Sequence, residues 1–491
     1  MNDTDICRAQ RSTGDVNKKT AIFAALLLGI LLVFISLLLI LLPQNEKDTN
    51  EVKQRFFPNV VLIVMDAFRA DRIGAERNGI QLTPFLNQLV DESVYFKNAI
   101  TPCTWTRPAM TSLFTSLHVD THQVYYGTSS IDGNIFSDIL PENVQTLSMY
   151  MKKLGYATLA VQTNGQLSAD FGYDRGFDSY VFMDAPPGEE ATAYALSLLS
   201  ENKSPSFLYV HYMDPHIPYD PPQQYLDMVG YNTDNLSETE KAIAEDFSTY
   251  FWDHINYITG RSNSRRYQVL SAEGKDCIMA RYDAAVRYCD EQVRNLVFSI
   301  KKDYPQTLFI ITADHGEHFW DHDYLGHGLT MYNCELRAPL FFVADFLSPV
   351  IIERPASLVD VLPTVADLLE TKPSSEWQGD SLFKKDNVTS PVFAYSRASS
   401  PGSNTDIEAV IFNGMKYIRD NKKADEKLFT WPEDVFEKND LSEEMLDVSS
   451  KMQQLLLDHR HDNIQARQSR PQQTNIDAET IEQMRRLGYM E

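Results

Sequence analysis

Four apolar segments, each running into a polar residue, constrain the fold of this chain most strongly. They are residues 58–65 (PNVVLIVM) before Asp66, 155–163 (GYATLAVQT) before Asn164, 207–212 (FLYVHY) before Asp214, and 307–313 (TLFIITA) before Asp314. Continuous apolar runs of this length are typical of strands buried on both faces of a parallel sheet. Helical segments at 84–92, 144–154 and 276–301 alternate with them. The sequence therefore predicts an α/β fold with a doubly wound, mostly parallel sheet.

The polar residues at these strand ends suggest a metal site. In open α/β sheets, ligands bind at the carboxyl ends of the strands. Asp66, Asp314 and His315 offer two carboxylates and an imidazole, and Thr106 adds a hydroxyl, which together suit a divalent cation. A single strand-end aspartate is more often a cap or turn residue, but Asp314 is followed directly by His315. We predict that these four residues are metal ligands.

Thr106 stands where a helix is expected to begin. Pro108 follows two residues later and suits a first turn, because its missing N–H would have no intrahelical partner. Apolar residues then recur at helical spacing through 110–117. Unpaired N–H groups and the helix dipole at this end would stabilise charge added when the hydroxyl attacks phosphorus or sulfur. The alternative is an ordinary threonine N-cap.

Two histidines in separate loops are further candidates. His216 lies in DPHIP and His327 in GHG. They could provide a second metal position, or protonate a leaving group and contact the transferred group. The alternative for each is a loop histidine with a structural hydrogen bond. We interpret His318 and His322 as solvated loop residues.

The N-terminus predicts a membrane anchor. Residues 21–42 carry no charge and are almost entirely aliphatic or phenylalanine, and as a helix they would span about 33 Å, enough to cross a bilayer. We expect 1–20 to be a cytoplasmic tail, because it is basic, 21–43 to be an uncleaved transmembrane anchor, and 44–56 to be a linker. The catalytic region would then be periplasmic, extracellular or lumenal. A buried core helix is the alternative.

Charge and cysteine content restrict the functional classes. The net charge is −24 and the pI is near 4.8, which argues against binding nucleic acid. Five cysteines are too few for a disulfide scaffold. A bond between Cys103 and Cys334 stays open, and nothing indicates the oligomeric state.

The sequence changes character after residue 372. Two short strand patterns flank Asn413-Gly414, a pair suited to a type I′ hairpin. We predict that 373–491 forms a smaller antiparallel subdomain and tail, with a helix in the charged segment 440–475. The preceding 57–372 would be the catalytic domain.

The chain resembles the sulfatase and phosphodiesterase branch of the alkaline phosphatase superfamily. The matching segments are PNVVLIVMDAFRAD (58–71), TPFLNQLVDESVYFKNA (83–99), SLFTS (112–116), HYMDPHIPY (211–219), YDAAVRYCDEQV (282–293), ADHGEHF (313–319), GHG (326–328), RAPLFF (337–342), SLVDVLPTVADLL (357–369) and IEQMRRLGYM (481–490). The resemblance implies an alkaline phosphatase-like sheet with a C-terminal subdomain, a metal at the strand ends and a covalent ester intermediate.

The nucleophile position departs from that of true sulfatases. Those enzymes carry a cysteine or serine in a C-x-P-x-R pattern, which is oxidised to formylglycine. Counting back from SLFTS places this position at Thr106, with Met110 where the family has arginine. Threonine cannot be oxidised to that aldehyde because its carbinol carbon bears a methyl group. The resemblance to threonine-dependent phosphodiesterases, phosphonate hydrolases and phosphoethanolamine transferases instead points to phosphorus chemistry.

A second alignment places Cys103 at the nucleophile position and keeps Arg107, but it puts Trp105 in place of the proline. Ala67 stands where sulfatases usually have another calcium-binding aspartate. The absence of that aspartate, with His315 retained, favours zinc or manganese, although calcium or magnesium is possible.

We therefore predict a membrane-anchored, metal-dependent hydrolase that cleaves an anionic phosphoester or phosphonate through a phospho-threonine intermediate at Thr106. Arg107, His216 and His327 would bind the anion or assist the leaving group. The alternatives are a sulfuric ester hydrolase of arylsulfatase type, a phospho-headgroup transferase, or a surface protein that keeps only the fold.

Overall fold

The computed structural model describes residues 57–125, 129–131, 134–202, 205–258, 269–384, 390–397, 405–467 and 473–475. The predicted tail, anchor and linker, at residues 1–56, lie outside these ranges. Within the part of the chain that is described, no helix combines the length and apolar character needed to cross a membrane.

An eight-stranded sheet forms the centre of the described chain. Numbered along the chain, its strands are β1 (Asn59–Met65), β2 (Val94–Phe96), β3 (Ala157–Gln162), β4 (Ser179–Phe182), β5 (Ser206–Tyr212), β6 (Thr307–Ala313), β7 (Leu340–Val343) and β8 (Val350–Ile352). Their order across the sheet is β8-β2-β7-β6-β1-β5-β3-β4. All run parallel except β7, which is antiparallel to both of its neighbours.

The predicted apolar segments form adjacent strands in the middle of this sheet. β1 is buried along its whole length and pairs in parallel with β5 on one side and β6 on the other. β3 pairs in parallel with β5. The carboxyl ends of these four strands therefore meet at one edge, as predicted. The sequence analysis did not predict the antiparallel β7, because a buried apolar run of only four residues cannot be assigned to a strand from its periodicity alone.

Along the chain, helices alternate with these strands. The three predicted helices are observed as Pro84–Glu92, Leu147–Lys153 and Ala272–Asp303. The others are Thr106–Thr115, Val119–His122, Gly188–Ser200, Gln223–Val229, Glu238–Glu245, Phe247–Ile258, Asn333–Leu336, Val361–Leu368 and Leu446–Gln465. Single turns of 3-10 helix occur at Ala70–Arg72, Gly165–Leu167, Ala169–Phe171, Asp321–Asp323 and Leu358–Asp360.

A second, antiparallel sheet confirms the expected C-terminal structure. It consists of β9 (Val392–Arg397), β10 (Asp406–Phe412), β11 (Met415–Asp420) and β12 (Asp425–Thr430), in that order. Asn413 and Gly414, with φ of 48° and 75°, join β10 to β11, as the type I′ turn prediction requires. The boundary at residue 373 stays a prediction.

The C-terminal sheet supports the start of the helix Thr106–Thr115. Side chains from β9 to β12 and from the helix Leu446–Gln465 form one buried apolar cluster with Cys103, Trp105 and Ala109. The residues that surround Thr106 are thus held between two sheets. The remaining strand pairings in the described residues are shorter: Glu76–Arg77 with Ile80–Gln81, His318–Phe319 with Leu325–Gly326, Ala99–Ile100 with Arg337–Ala338 and Ala356–Ser357, and Asn134–Asp138 with Ser129–Ile131 and Gln473–Asn475.

Candidate active site

Thr106 is the first residue of its helix. The preceding Trp105 is the N-cap and has extended backbone angles, and Pro108 lies within the first turn. The Thr106 hydroxyl oxygen, Oγ1, is 3.4 Å from His315 Nε2 and 3.4 Å from Asn164 Nδ2. The prediction of a helix start at this residue is confirmed. Thr106 does not occupy the N-cap position, and its hydroxyl faces the strand-end residues.

Asp66, Asp314 and His315 form a buried cluster at the carboxyl ends of β1 and β6. One ligand atom from each lies within 4.8 Å of the others. His315 Nε2 is 3.3 Å from Asp314 Oδ2 and 3.7 Å from Asp66 Oδ1. His315 Nδ1 donates to the Gly316 carbonyl at 2.8 Å, which leaves the lone pair on Nε2. The structure therefore brings the predicted ligands together with Thr106.

Each carboxylate in this cluster binds protein donors through one oxygen and exposes the other to the centre. Asp314 Oδ1 accepts hydrogen bonds from the Ala67 and His315 N–H groups at 3.1 and 2.8 Å. Asp66 Oδ2 is 2.8 Å from His211 Nε2 and accepts from Asn164 Nδ2 at 2.6 Å. Asp314 Oδ2 and Asp66 Oδ1 are buried and have no hydrogen-bond partner among the described residues.

These unpartnered oxygens fit a divalent cation. Burying a carboxylate oxygen without a partner is costly, and a cation between the two removes that cost. Burial first, and then the neighbouring Asp66, raise the pKa of Asp314. Burial acts in the same direction on Asp66, but His216, with His211 and His315, holds the pKa of Asp66 below its usual range. Two carboxylates, an imidazole and a hydroxyl form a ligand set that zinc and manganese accept.

Sequence reasoning missed two supporting residues, Asn164 and His211. Asn164 follows β3 and contacts both Asp66 and Thr106. His211 lies within β5, where its side chain is completely buried against Asp66 and Tyr209. The signal for Asn164 was its place after a predicted strand. His211 gave no such signal, because the contact depends on the register of β5 beside β1.

His216 and His327 lie beside the group of Asp66, Asp314 and His315, which we call the cation cluster. The His327 ring centre is 4.4 Å from that of His315 and 5.2 Å from that of His216. His327 Nδ1 is 2.9 Å from Glu317 Oε1, and Glu317 Oε2 accepts from the Tyr219 hydroxyl at 3.0 Å. Burial lowers the pKa of His216. Burial acts in the same direction on His327, but Glu317, together with Asp66 and Glu335, raises the pKa of His327 to about 9.

The backbone on either side of His327 explains the GHG motif. Gly326 and Gly328 have φ of 94° and 84°, which side-chain-bearing residues rarely adopt. A Cβ at Gly326 would also lie 2.7 Å from the Phe251 ring. The two glycines therefore fix the chain direction that places His327 at the site.

Arg107 differs from the other candidates in where its guanidinium lies. The side chain is completely buried, with Nε donating to the Gln166 carbonyl at 3.1 Å. Further hydrogen bonds join the guanidinium to the Gln166 side chain and Ser137, and its carbon lies 3.9 Å from the centre of the Phe171 ring. Arg107 is thus committed to the packing of the segments that flank the helix, and these contacts do not direct it at the cation cluster.

Cys103 and Cys334 are both free thiols. Cys103 is fully buried in the apolar cluster behind the helix, where burial raises its pKa. The Cys334 sulfur is instead 3.2 Å from His318 Nδ1. Our interpretation of His318 as a solvated loop residue was wrong: its ring is buried, and Nε2 is 2.7 Å from Glu335 Oε1. The rings of Tyr324 and Tyr332 lie 5.6 and 6.1 Å from the His318 ring, and the sequence alone did not reveal this packing.

Comparison with known proteins supports this fold. The sulfatase family model matches residues 58–371. The arylsulfatase of Clostridium perfringens is 24% identical over 385 residues, covering 66% of this chain and 77% of that protein. The phosphonate monoester hydrolase of Agrobacterium radiobacter has a similar structure, with a TM-score of 0.64 and 18% identity over 83% of this chain and 96% of that one.

A further structure of similar fold contains a bound ligand. It is a protein in complex with its substrate D-glucosamine-2-N,6-O-disulfate, with a TM-score of 0.64 and 16% identity, covering 83% of this chain and 98% of that one. The fold and the family match together define an ester hydrolase of the alkaline phosphatase superfamily, whose members depend on metals. This chain belongs to the sulfatase family.

Proposed function

We propose that the protein hydrolyses a phosphoester or phosphonate, with Thr106 as the nucleophile. The observation that carries this proposal is the position of the Thr106 hydroxyl, which lies at a helix N-terminus and 3.4 Å from His315 Nε2. Asp66, Thr106, Asp314 and His315 would hold the cation. When bound, the cation supplies charge neutralisation and a lower hydroxyl pKa. Zinc or manganese suits the mixed nitrogen and oxygen ligands best.

The reaction proceeds in two displacements. Thr106 first gives its hydroxyl proton to water, and its oxygen then bonds to phosphorus as the bond to the leaving oxygen breaks. His327 donates a proton to that oxygen, so an alcohol departs. Water then attacks phosphorus, gives its proton back to His327 and displaces Thr106 as the anion. The N–H groups of the first helical turn stabilise the charge on the transferred group.

His216 and Arg107 support this reaction in different ways. His216 Nδ1 is 2.8 Å from the Ile217 carbonyl, and the centre of its ring is 5.2 Å from that of His327, so we assign His216 to the binding of the transferred group. Arg107 acts through its contacts with Gln166, whose N–H is bound by the Asn164 side chain at 2.8 Å. Because Asn164 contacts both Asp66 and Thr106, we assign Arg107 a positioning role and not direct binding of the anion.

The second candidate is hydrolysis of a sulfuric ester. The names of the relatives favour it, since most are sulfatases. The residues favour phosphorus chemistry, because Thr106 cannot form the aldehyde and Cys103 is buried in an apolar cluster behind the helix. The proteins of similar fold include a phosphonate monoester hydrolase as well as sulfatases, so the fold alone does not decide between the two substrate classes.

We also propose that the protein is a single-pass membrane protein with a cytoplasmic N-terminus and its catalytic domain on the opposite side. This rests on the uncharged segment 21–42 and the basic residues before it. Protease digestion of sealed membrane vesicles should remove the catalytic domain only when its side of the membrane is accessible.

An activity panel on the full chain tests the proposed reaction. Phosphate monoesters, phosphate diesters, phosphonate monoesters and sulfate esters would each be assayed with zinc, manganese, magnesium or calcium. We expect the highest turnover on a phosphorus ester with zinc or manganese, and its loss in Thr106→Ala. Preferred turnover of a sulfate ester that survives Thr106→Ala would contradict the proposal.

A further inference from the structure

Glu317 is a buried carboxylate whose position depends on four separate contacts. Its side chain is fully buried, and its two oxygens are 2.9 Å from His327 Nδ1 and 3.0 Å from the Tyr219 hydroxyl. Its N–H donates to the Cys334 carbonyl at 3.0 Å, and its own carbonyl accepts from Arg69 Nη1 at 3.0 Å. Side chain and backbone are therefore both fixed.

Glu317 differs from the two aspartates in the cation cluster. Asp66 and Asp314 each keep one unpartnered oxygen directed at that cluster, whereas both oxygens of Glu317 accept hydrogen bonds from side chains. A buried carboxylate is stable only when it is paired and hydrogen-bonded. Glu317 is thus satisfied by His327 and Tyr219, and it has no oxygen left for a cation.

We propose that Glu317 is the positioning residue for His327 and orients its imidazole toward the leaving oxygen of the ester. This inference rests on the proposed role of His327. Binding Nδ1–H to Glu317 fixes the ring orientation, and Nε2 then lies on the opposite side of the ring. The centre of the His327 ring is 4.4 Å from that of His315 and 5.2 Å from that of His216, so the imidazole that Glu317 holds lies beside the site.

The surrounding structure supports a positioning role. His327 retains 12% side-chain exposure while Glu317 has none, so the histidine reaches the accessible side of the pair. Gly326 and Gly328 hold the backbone of His327 from either side. Glu317 thus orients a side chain whose main chain is already fixed, and Tyr219 keeps the carboxylate from rotating away.

A pair of substrates with different leaving groups tests this inference. Methyl 4-nitrophenyl phosphate releases a stable phenolate that needs little proton donation, whereas methyl phenyl phosphate depends on it more strongly. We would measure kcat/KM for both with wild type, Glu317→Gln, His327→Ala, the double variant and Tyr219→Phe. Glu317→Gln preserves volume and can still accept one hydrogen bond, so it keeps the fold.

We expect His327→Ala to slow the phenyl ester by about 10²- to 10⁴-fold and the nitrophenyl ester far less. Glu317→Gln should slow the phenyl ester by about 10- to 100-fold, with the same selectivity. It should add no further loss to His327→Ala, because the two residues act as a unit. Tyr219→Phe, which leaves the His327 contact in place, should cost less than Glu317→Gln.

The other outcomes separate the two proposals. If Glu317→Gln slows both esters equally, or adds its full loss to that of His327→Ala, then Glu317 is only structural and the inference is overturned. The proposed mechanism still stands in that case if His327→Ala slows the phenyl ester selectively. If His327→Ala shows no selectivity, the leaving-group role of His327 is wrong and the inference fails with it. Thr106→Ala then decides separately whether the proposed nucleophile is correct.

Discussion

Asp66 and Asp314, which lie 248 positions apart in the chain, each present one unpartnered carboxylate oxygen to the same nitrogen, Nε2 of His315. Adjacent parallel strands produce this arrangement, because β1 and β6 pair in register up to Met65 and Ala313. Two like charges facing each other in a buried site repel unless a cation separates them. The facing of Asp66 and Asp314 therefore predicts that metal binding changes the stability of the folded protein.

Asp314→Asn should change stability in opposite directions with and without metal. In chelator, the variant should be the more stable protein, because it removes the buried charge that burial and Asp66 disfavour. With saturating zinc, wild type should be more stable, because binding to the folded state adds to its stability. Thermal unfolding of both proteins in EDTA and in zinc measures this. If zinc raises the melting temperatures of both proteins equally, the cluster is not a metal site.

Arg107→Lys should destabilise the protein more than it weakens substrate binding. Lysine cannot reproduce the stacking on Phe171 or the forked contacts with Gln166, and unsatisfied buried partners would cost about 3 kcal/mol. Denaturant unfolding and KM would be measured together. Arg294→Lys, an exposed arginine stacked 4.9 Å from Phe298, serves as the control and should have little effect. A raised KM with unchanged stability would instead restore the role in anion binding that the sequence suggested.

Asp214 should make stability depend on pH. Its Oδ1 accepts from the Gly188 N–H at 2.9 Å, and burial raises its pKa to about 7. The unfolded carboxyl ionises near pH 3.9, so folding stability should fall as pH rises from about 4 to 7 and then level off. As the pH rises across this interval, the free energy of unfolding of Asp214→Asn should increase relative to that of wild type by up to about 4 kcal/mol.

Chemical denaturation at pH 5 and pH 8 measures this difference. The exposed Asp227→Asn controls for the loss of one carboxylate elsewhere on the surface. An advantage of Asp214→Asn that is the same at both pH values would show that Asp214 does not carry the effect.

Lys416 and Glu437 form a buried ion pair that joins the C-terminal sheet to the helix Asn333–Leu336. Both side chains are nearly inaccessible to solvent. Lys416 Nζ donates to Asn333 Oδ1 at 2.9 Å, and the Asn333 N–H donates to Glu437 Oε2 at 2.6 Å. Lys416→Met should cost about 3–5 kcal/mol, because Glu437 is left as an uncompensated charge. Lys416→Met with Glu437→Leu should recover most of this loss, and the exposed Lys422→Met should cost little. An unchanged free energy of unfolding in Lys416→Met would contradict this account.

The sequence allowed four central strands, the C-terminal hairpin, the helix that begins at Thr106, three further helices and the candidate ligands at the strand ends to be predicted, because long apolar runs and turn residues are local signals. It did not reveal contacts that depend on register or burial. His211 contacts Asp66 only through the pairing of β5 with β1, and Glu317 contacts His327 only through the fold of the intervening loop. Arg107 was expected to bind the anion or assist the leaving group, but its guanidinium contacts Gln166.

The most direct test is to identify the residue that becomes covalently modified during turnover. The full chain would be mixed with methyl 4-nitrophenyl phosphate, quenched in acid and analysed by peptide mass spectrometry, alongside Thr106→Ala and the control Thr115→Ala from the same helix. We predict a phosphoester on Thr106, with activity lost by more than about 10³-fold in Thr106→Ala and retained in Thr115→Ala. An aldehyde or adduct at Cys103, or full activity in Thr106→Ala, would contradict the account.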